Sequence, residues 1–181
     1  MTERAFDPSQ LNVEAFAKQA SVLQGQCAVS ALARLADAMH PDALPGAADH
    51  VDWQLRGEAR AVRSDPPEIW LHLSASARLA LVCQRCLQPV ATHLAASRSF
   101  RFVHGETAAA ELDADSEDDV LALSRALDAI SLLEDELLLS LPLVPRHDAC
   151  PQPLLPPDDS VLGERENPFA SLAVLKGGGS N

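Results

Sequence analysis

From Val51 onward apolar and polar residues alternate. In VDWQLRGEARAV, Val51, Trp53 and Leu55 share one side and Asp52, Gln54 and Arg56 the other, the period-two pattern of a strand with one buried face. After the turn Asp65-Pro66-Pro67 the alternation resumes through EIWLHLSASARLALVC. Ile69, Leu71, Leu73, Ala75, Ala77 and Leu79 lie on one side, with Trp70, His72, Ser74, Ser76 and Arg78 on the other. These two segments predict a hairpin. VATHLAASRSFRFV, with Phe100 and Phe102 opposite Arg101, adds a further strand, so that Cys83-Gln84-Arg85-Cys86 becomes the tip of a second hairpin.

Around this block the period changes. Leu11, Ala15, Phe16 and Ala20 recur at helical spacing after Asp7-Pro8-Ser9 and predict a helix over 9–21, with Ser9 or Asn12 as cap. Residues 29–39 predict a short helix stopped at His40-Pro41, and a strand just before it is the rival reading. The acidic stretch 104–119 has too few apolar residues to offset the entropy of ordering, which predicts a mobile loop. A short edge strand follows at 119–123, and Ser131, three residues before Glu134, has capping-box spacing for an apolar helix over 131–141 that ends at Pro142. Pro151, Pro153, Pro156 and Pro157 predict an extended arm over 148–181 that ends in a short amphipathic piece at 167–176.

The expected architecture is an α+β domain over 1–147. Its mostly antiparallel sheet at 50–103, with the option of curling toward a partial barrel, is flanked by helices from 9–39 and 131–141. An acidic loop and a Pro-rich C-terminal arm project from it.

Composition narrows the function classes. The 181 residues are 47% hydrophobic but hold five Phe, two Trp and no Tyr, so Leu, Ala and Val must build the core and a stacking reader of single-stranded RNA is disfavoured. No apolar run is long enough to cross a bilayer, and MTERAFDPSQ has no export-signal pattern, which leads us to expect a soluble, cytoplasmic protein. The net charge of −12 argues against indiscriminate coating of nucleic acid. That charge is unevenly spread: residues 51–103 hold seven Lys and Arg against four Asp and Glu, whereas residues 104–181 hold four against sixteen.

Candidate chemistry is concentrated at the second hairpin tip. Two thiolates three residues apart can chelate one metal from a knuckle, and His147 with Cys150 would complete a quartet with Cys83 and Cys86 suited to zinc. Free thiols at a tight turn and thiol–disulfide exchange are the competing readings of the pair. Cys27, among apolar neighbours, reads as a buried small hydrophobe. Single scattered histidines, with no nucleophile elbow and no phosphate loop, give no enzyme signature. Arg56, Arg60, Arg78, Arg98 and Arg101 fall on predicted strands, and Arg85 lies at the tip. A polar sheet face dotted with arginine could meet the phosphates of folded RNA, or could merely solvate the sheet. The acidic stretch could mask that face, hold a basic partner, or be plain solvated chain.

Three blocks in order, CQRCLQPV at 83–90, LDAISLLEDELLLSLPLVPRH at 127–147 and NPFASLAVLK at 167–176, together with ALARL at 31–35, resemble the YceD family of bacterial large ribosomal RNA subunit accumulation proteins. The resemblance implies a non-enzymatic cytoplasmic factor for accumulation or processing of large-subunit ribosomal RNA, with no catalytic residues to carry over. Its partners would be precursor large-subunit RNA or an assembly intermediate, with a ribosomal protein as a further candidate and neither membrane nor small-molecule substrate. The alternative from a different class is an adaptor whose acidic segment holds a basic ribosomal protein or a processing nuclease without touching RNA. Relatives with more cysteines near the C-terminus look more like metal binders than this chain, which has only Cys150 there.

Overall fold

The computed structural model describes residues 6–43, 46, 49–62 and 65–152. The chain divides into a unit Met1–Asp148 and a unit Ala149–Asn181. The first is built on one five-stranded sheet in the order β1 (Val22–Ala28), β2 (His50–Val62), β3 (Asp65–Val82), β4 (Pro89–Val103) and β5 (Asp119–Ala122). Neighbours pair antiparallel except β4 and β5, which run parallel through a crossover that contains helix α3 (Glu106–Asp115). The sheet is open, with β1 and β5 at its edges, and does not close into a barrel.

Register turns alternation into a core. The pairs Val51↔Ala77, Leu55↔Leu73, Ile69↔Phe102, Leu71↔Phe100 and Ala77↔Leu94 stack the apolar positions of three strands on one face. Helices α1 (Val13–Lys18), α2 (Ala33–Asp37) and α4 (Ala129–Leu139) contribute Phe16, Leu35, Leu133 and Leu137, all fully buried. Each such side chain stabilises the fold by about 1.5–3 kcal/mol relative to exposure. Leu11 and Leu127 exchange backbone hydrogen bonds of 2.8 and 2.9 Å, which ties the start of the chain to the entrance of α4.

Helix α1 approaches the sheet closely at Gly57. A Cβ there would stand 2.8 Å from Phe16 Cδ1, Phe16 O and Ala17 Cα, so α1 sits directly on the β2 backbone. Gly57→Ala is expected to cost about 1–3 kcal/mol by overpacking. The measurement is urea unfolding, with a lower midpoint and an unchanged slope.

Several expectations need correction. The helical region 9–39 is interrupted: a 3₁₀ turn at Pro8–Gln10 precedes α1, which Asn12 caps by accepting the Ala15 N–H at 2.9 Å. The strand reading holds for 22–28, so the sheet begins at Val22 instead of 50; Gln24, Gly25 and Gln26 gave this strand little apolar signal. A 3₁₀ turn at Val29–Ala31 and the five-residue α2 follow. The acidic stretch is not a loop but contains α3, with only Ala109 buried. Ala108, Ala109, Ala110 and Ala114 are strong helix formers, and Glu106 lies in the favourable first turn, so intrinsic propensity outweighs the shortage of apolar burial. Asp113 fastens the helix to β5 by accepting the Val120 N–H at 2.9 Å. Helix α4 starts at Ala129, not 131, because Asp128 rather than Ser131 caps it, accepting from the N–H groups of Ile130 and Ser131. Cys27 is half-buried on β1, not fully enclosed. Beyond Gln152, the expected arm and its helical piece at 167–176 lie outside the described residues.

Candidate metal centre and arginine face

Strands β3 and β4 deliver the cysteine pair as a knuckle. The Cys83 N–H donates to Gln88 O at 3.0 Å and the Leu87 N–H to Cys83 O at 2.8 Å, closing the turn. Leu87 sits at φ 60°, a left-handed conformation unfavourable for a branched side chain. Buried His40 holds it there, donating from Nε2 to Leu87 O at 2.9 Å while Nδ1 accepts the Asp42 N–H at 3.1 Å. The segment after α4 closes on the same turn. Gln84 N–H donates to Pro145 O at 2.8 Å, and Arg85 Nη2 donates to His147 O at 2.9 Å and to Asp148 O at 3.3 Å.

His147 is oriented as a ligand. Its Nε2 lies 3.1 Å from Pro89 O, a carbonyl that can only accept, so Nε2 carries the proton and Nδ1 turns its lone pair toward Cys86 Sγ at 3.4 Å. Burial pushes the Cys83 thiol up, but the backbone N–H groups of Cys86, His147 and Arg85, with the Cys86 side chain, outweigh it and hold the thiol down to about 5. One ligand atom from each of Cys83, Cys86, His147 and Cys150 falls within 4.8 Å of the others, so the four residues expected from spacing form a cluster able to hold a metal ion.

The six arginines do not share one place. Register puts Arg56, Arg60, Arg78 and Arg101 on the sheet face away from α1 and α4. Arg98 pairs with Leu73 and points to the helical side, where it reaches Glu136 at 3.3 Å and Asp119 at 3.6 Å. On the outer face Glu58 gathers Arg60 at 2.9 Å, Arg56 at 3.6 Å and His72 at 2.7 Å, and Arg101 meets Glu68 at 2.9 Å. Hydrogen bonds from Arg60 and then His72 bring the Glu58 carboxyl down to about 2. Arg60 also lies 4.2 Å over the Trp70 ring. Arg78 is exposed and, among the described residues, engages no carboxylate.

A second constellation, not foreseen from sequence, locks the helices. Glu134 of α4 accepts the N–H groups of Arg34 and Leu35 at 2.8 and 3.1 Å, and binds the Arg34 guanidinium at 2.9 and 3.1 Å. Asp135 takes the other arm of Arg34 at 2.6 Å. Helix α2 has no side-chain cap of its own at Leu32, so Glu134 caps it from a hundred residues away. Burial raises the Glu134 carboxyl, but the Leu35 N–H and the Arg34 guanidinium prevail and leave it below the usual carboxylate range.

Fold and site thus define a small α+β protein: an open sheet with α1 and α4 packed on one face and a thiol-rich, metal-competent cluster at a hairpin tip. The family model described as large ribosomal RNA subunit accumulation protein YceD matches residues 71–176, from β3 through the knuckle and α4 and beyond. The chain belongs to the YceD family, whose name ties it to accumulation of large-subunit ribosomal RNA. No solved structure matches it. Among the described residues no helix is long and apolar enough to cross a membrane.

Proposed function

We propose that the protein is a non-enzymatic, cytoplasmic ribosome-biogenesis factor that promotes accumulation or processing of large-subunit ribosomal RNA by contacting precursor RNA or an assembly intermediate. Family membership over residues 71–176 carries this reading. Exposed Arg56, Arg60 and Arg78 on the sheet face away from α1 and α4 support direct contact, with Arg85 at the hairpin tip as a further contact. Arg98, engaged with Glu136 on the helical side, and Arg101, engaged with Glu68, serve mainly to fix the sheet. The Cys83, Cys86, His147 and Cys150 cluster holds zinc in a structural role, because three sulfurs and an imidazole match that metal's donor preference.

The test is co-sedimentation with large-subunit precursors from cell lysate, before and after RNase treatment. Association that RNase abolishes supports direct RNA contact, and absence of association overturns the reading. A second reading rests on α3, whose exposed Glu106, Glu111, Asp113 and Asp115 give an acidic surface for a basic ribosomal protein or a processing nuclease. On that reading the partner survives RNase digestion.

A further inference from the structure

The strand arginines differ in what they already hold. Arg56, Arg60, Arg98 and Arg101 each have a carboxylate within 3.6 Å. Arg78, on the outer face of β3, has none among the described residues. Its neighbours across both adjacent strands are histidines. His93 of β4 is its register partner, and His50 of β2 stands one step beyond the Val51↔Ala77 pair, alongside Arg78 on the other side. The row His50, Arg78, His93 crosses three strands on one face, so the outer two residues are about 10 Å apart at their Cα atoms, with Arg78 on the strand between them.

This row borders a hollow of about 330 Å³ lined by Asp49, His50, Asp52, Ser76, Arg78 and His93. Its two carboxylates have partners of their own. Asp52 accepts from Gln26 Nε2 at 2.7 Å and lies 3.8 Å from His50 Nε2, and Asp49 accepts the Gly46 N–H at 2.8 Å. Among the described residues the guanidinium of Arg78 thus remains a fork without a carboxylate partner, beside the Ser76 hydroxyl and the His93 imidazole, with His50 flanking it on the other strand. Planar paired donors flanked by single donors suit the tetrahedral oxygens of a phosphate.

We infer that the hollow at His50, Arg78 and His93 is a phosphate-binding site, and that the ligand it takes is a phosphodiester of the RNA backbone; the RNA part of this inference rests on the direct-contact reading above. An arginine that no carboxylate of the described residues engages keeps its charge for a ligand, whereas Arg56 and Arg60 would have to leave Glu58 first. The contact is to backbone, so it positions RNA and carries no base preference.

The test follows the imidazole resonances of His50 and His93 by NMR, in the full chain, during titration with inorganic phosphate and with a short single-stranded oligoribonucleotide. Both probes are expected to give saturable shifts at these two residues. Arg78→Gln should weaken both by about tenfold or more, and Arg125→Gln, an exposed substitution outside the hollow, should leave both within about twofold. Shifts not focused on this pair, or equal affinity in wild type and Arg78→Gln, would overturn the site even if the protein co-sediments with precursors through RNA. Phosphate binding at the hollow without an oligoribonucleotide response overturns the RNA assignment and supports a site for a free phosphate. A response to both probes with no RNase-sensitive co-sedimentation supports the site and counts against the biogenesis reading alone.

Discussion

Glu134→Ala lowers the unfolding midpoint of the protein by about 5–10 °C. The substitution removes a cap on α2 and the charge-assisted bonds to Arg34, together about 2–3 kcal/mol, and each kcal/mol corresponds to about 2–4 °C in a unit of this size. Asp135→Ala, which removes a half-exposed partner of the same arginine, should cost less than about 1 kcal/mol. Equal effects of the two substitutions in a thermal melt would show that the buried cap contributes nothing beyond a surface ion pair. The pH dependence has a definite sign. Because the folded Glu134 carboxyl lies below its usual value, its stabilisation is complete above the unfolded pKa, near 4.5, and is lost as pH falls through the folded value. The wild type should therefore lose stability on acidification more steeply than Glu134→Ala.

The second large effect is expected at the knuckle. Protein purified without a polyhistidine tag should carry one zinc per chain by elemental analysis, and both Cys83→Ser and Cys86→Ser should abolish it. Ligand linkage gives about 4 kcal/mol of stabilisation when free metal exceeds its dissociation constant a thousandfold, so chelation of the wild type should lower the melting midpoint by about 8–16 °C. Chelator should not shift the melt of either cysteine variant. The use of two variants guards against a simple packing defect at Cys83, which is fully buried, since Cys86 is only partly so. Metal-free protein whose melt is indifferent to both zinc and chelator would rule out the centre.

The sheet was legible in the sequence because alternation is a local property. Once Val51, Trp53 and Leu55 were assigned to one side, backbone geometry settled where Asp52, Gln54 and Arg56 pointed. The same parity places Arg98 with Phe100 and Phe102 and not with Arg101, a distinction the sequence contained but a count of strand arginines passed over. The metal quartet was legible as four ligand residues in two close pairs, although nothing local explains why His147 comes back to Cys86. Antiparallel β3 and β4, with the hydrogen bonds from the Gln84 N–H and the Arg85 guanidinium to the carbonyls of Pro145, His147 and Asp148, supply that explanation. The link between Glu134 and Arg34 had no local signal at all. Ser131 offered a plausible capping box that used the same glutamate within its own helix, and only packing of α4 against α2 redirects the carboxylate. Helix α3 shows the opposite error: alanine content was in plain view, and weighing burial alone hid it.

Crosslinking in growing cells, followed by identification of both the RNA adducts and the protein residues that carry them, tests the central claim most directly. The account predicts adducts to precursor large-subunit ribosomal RNA on the sheet face away from α1 and α4, centred on peptides that contain Arg56 and Arg78. Adducts confined to protein partners through α3, with no ribosomal RNA attached to that face, would contradict it.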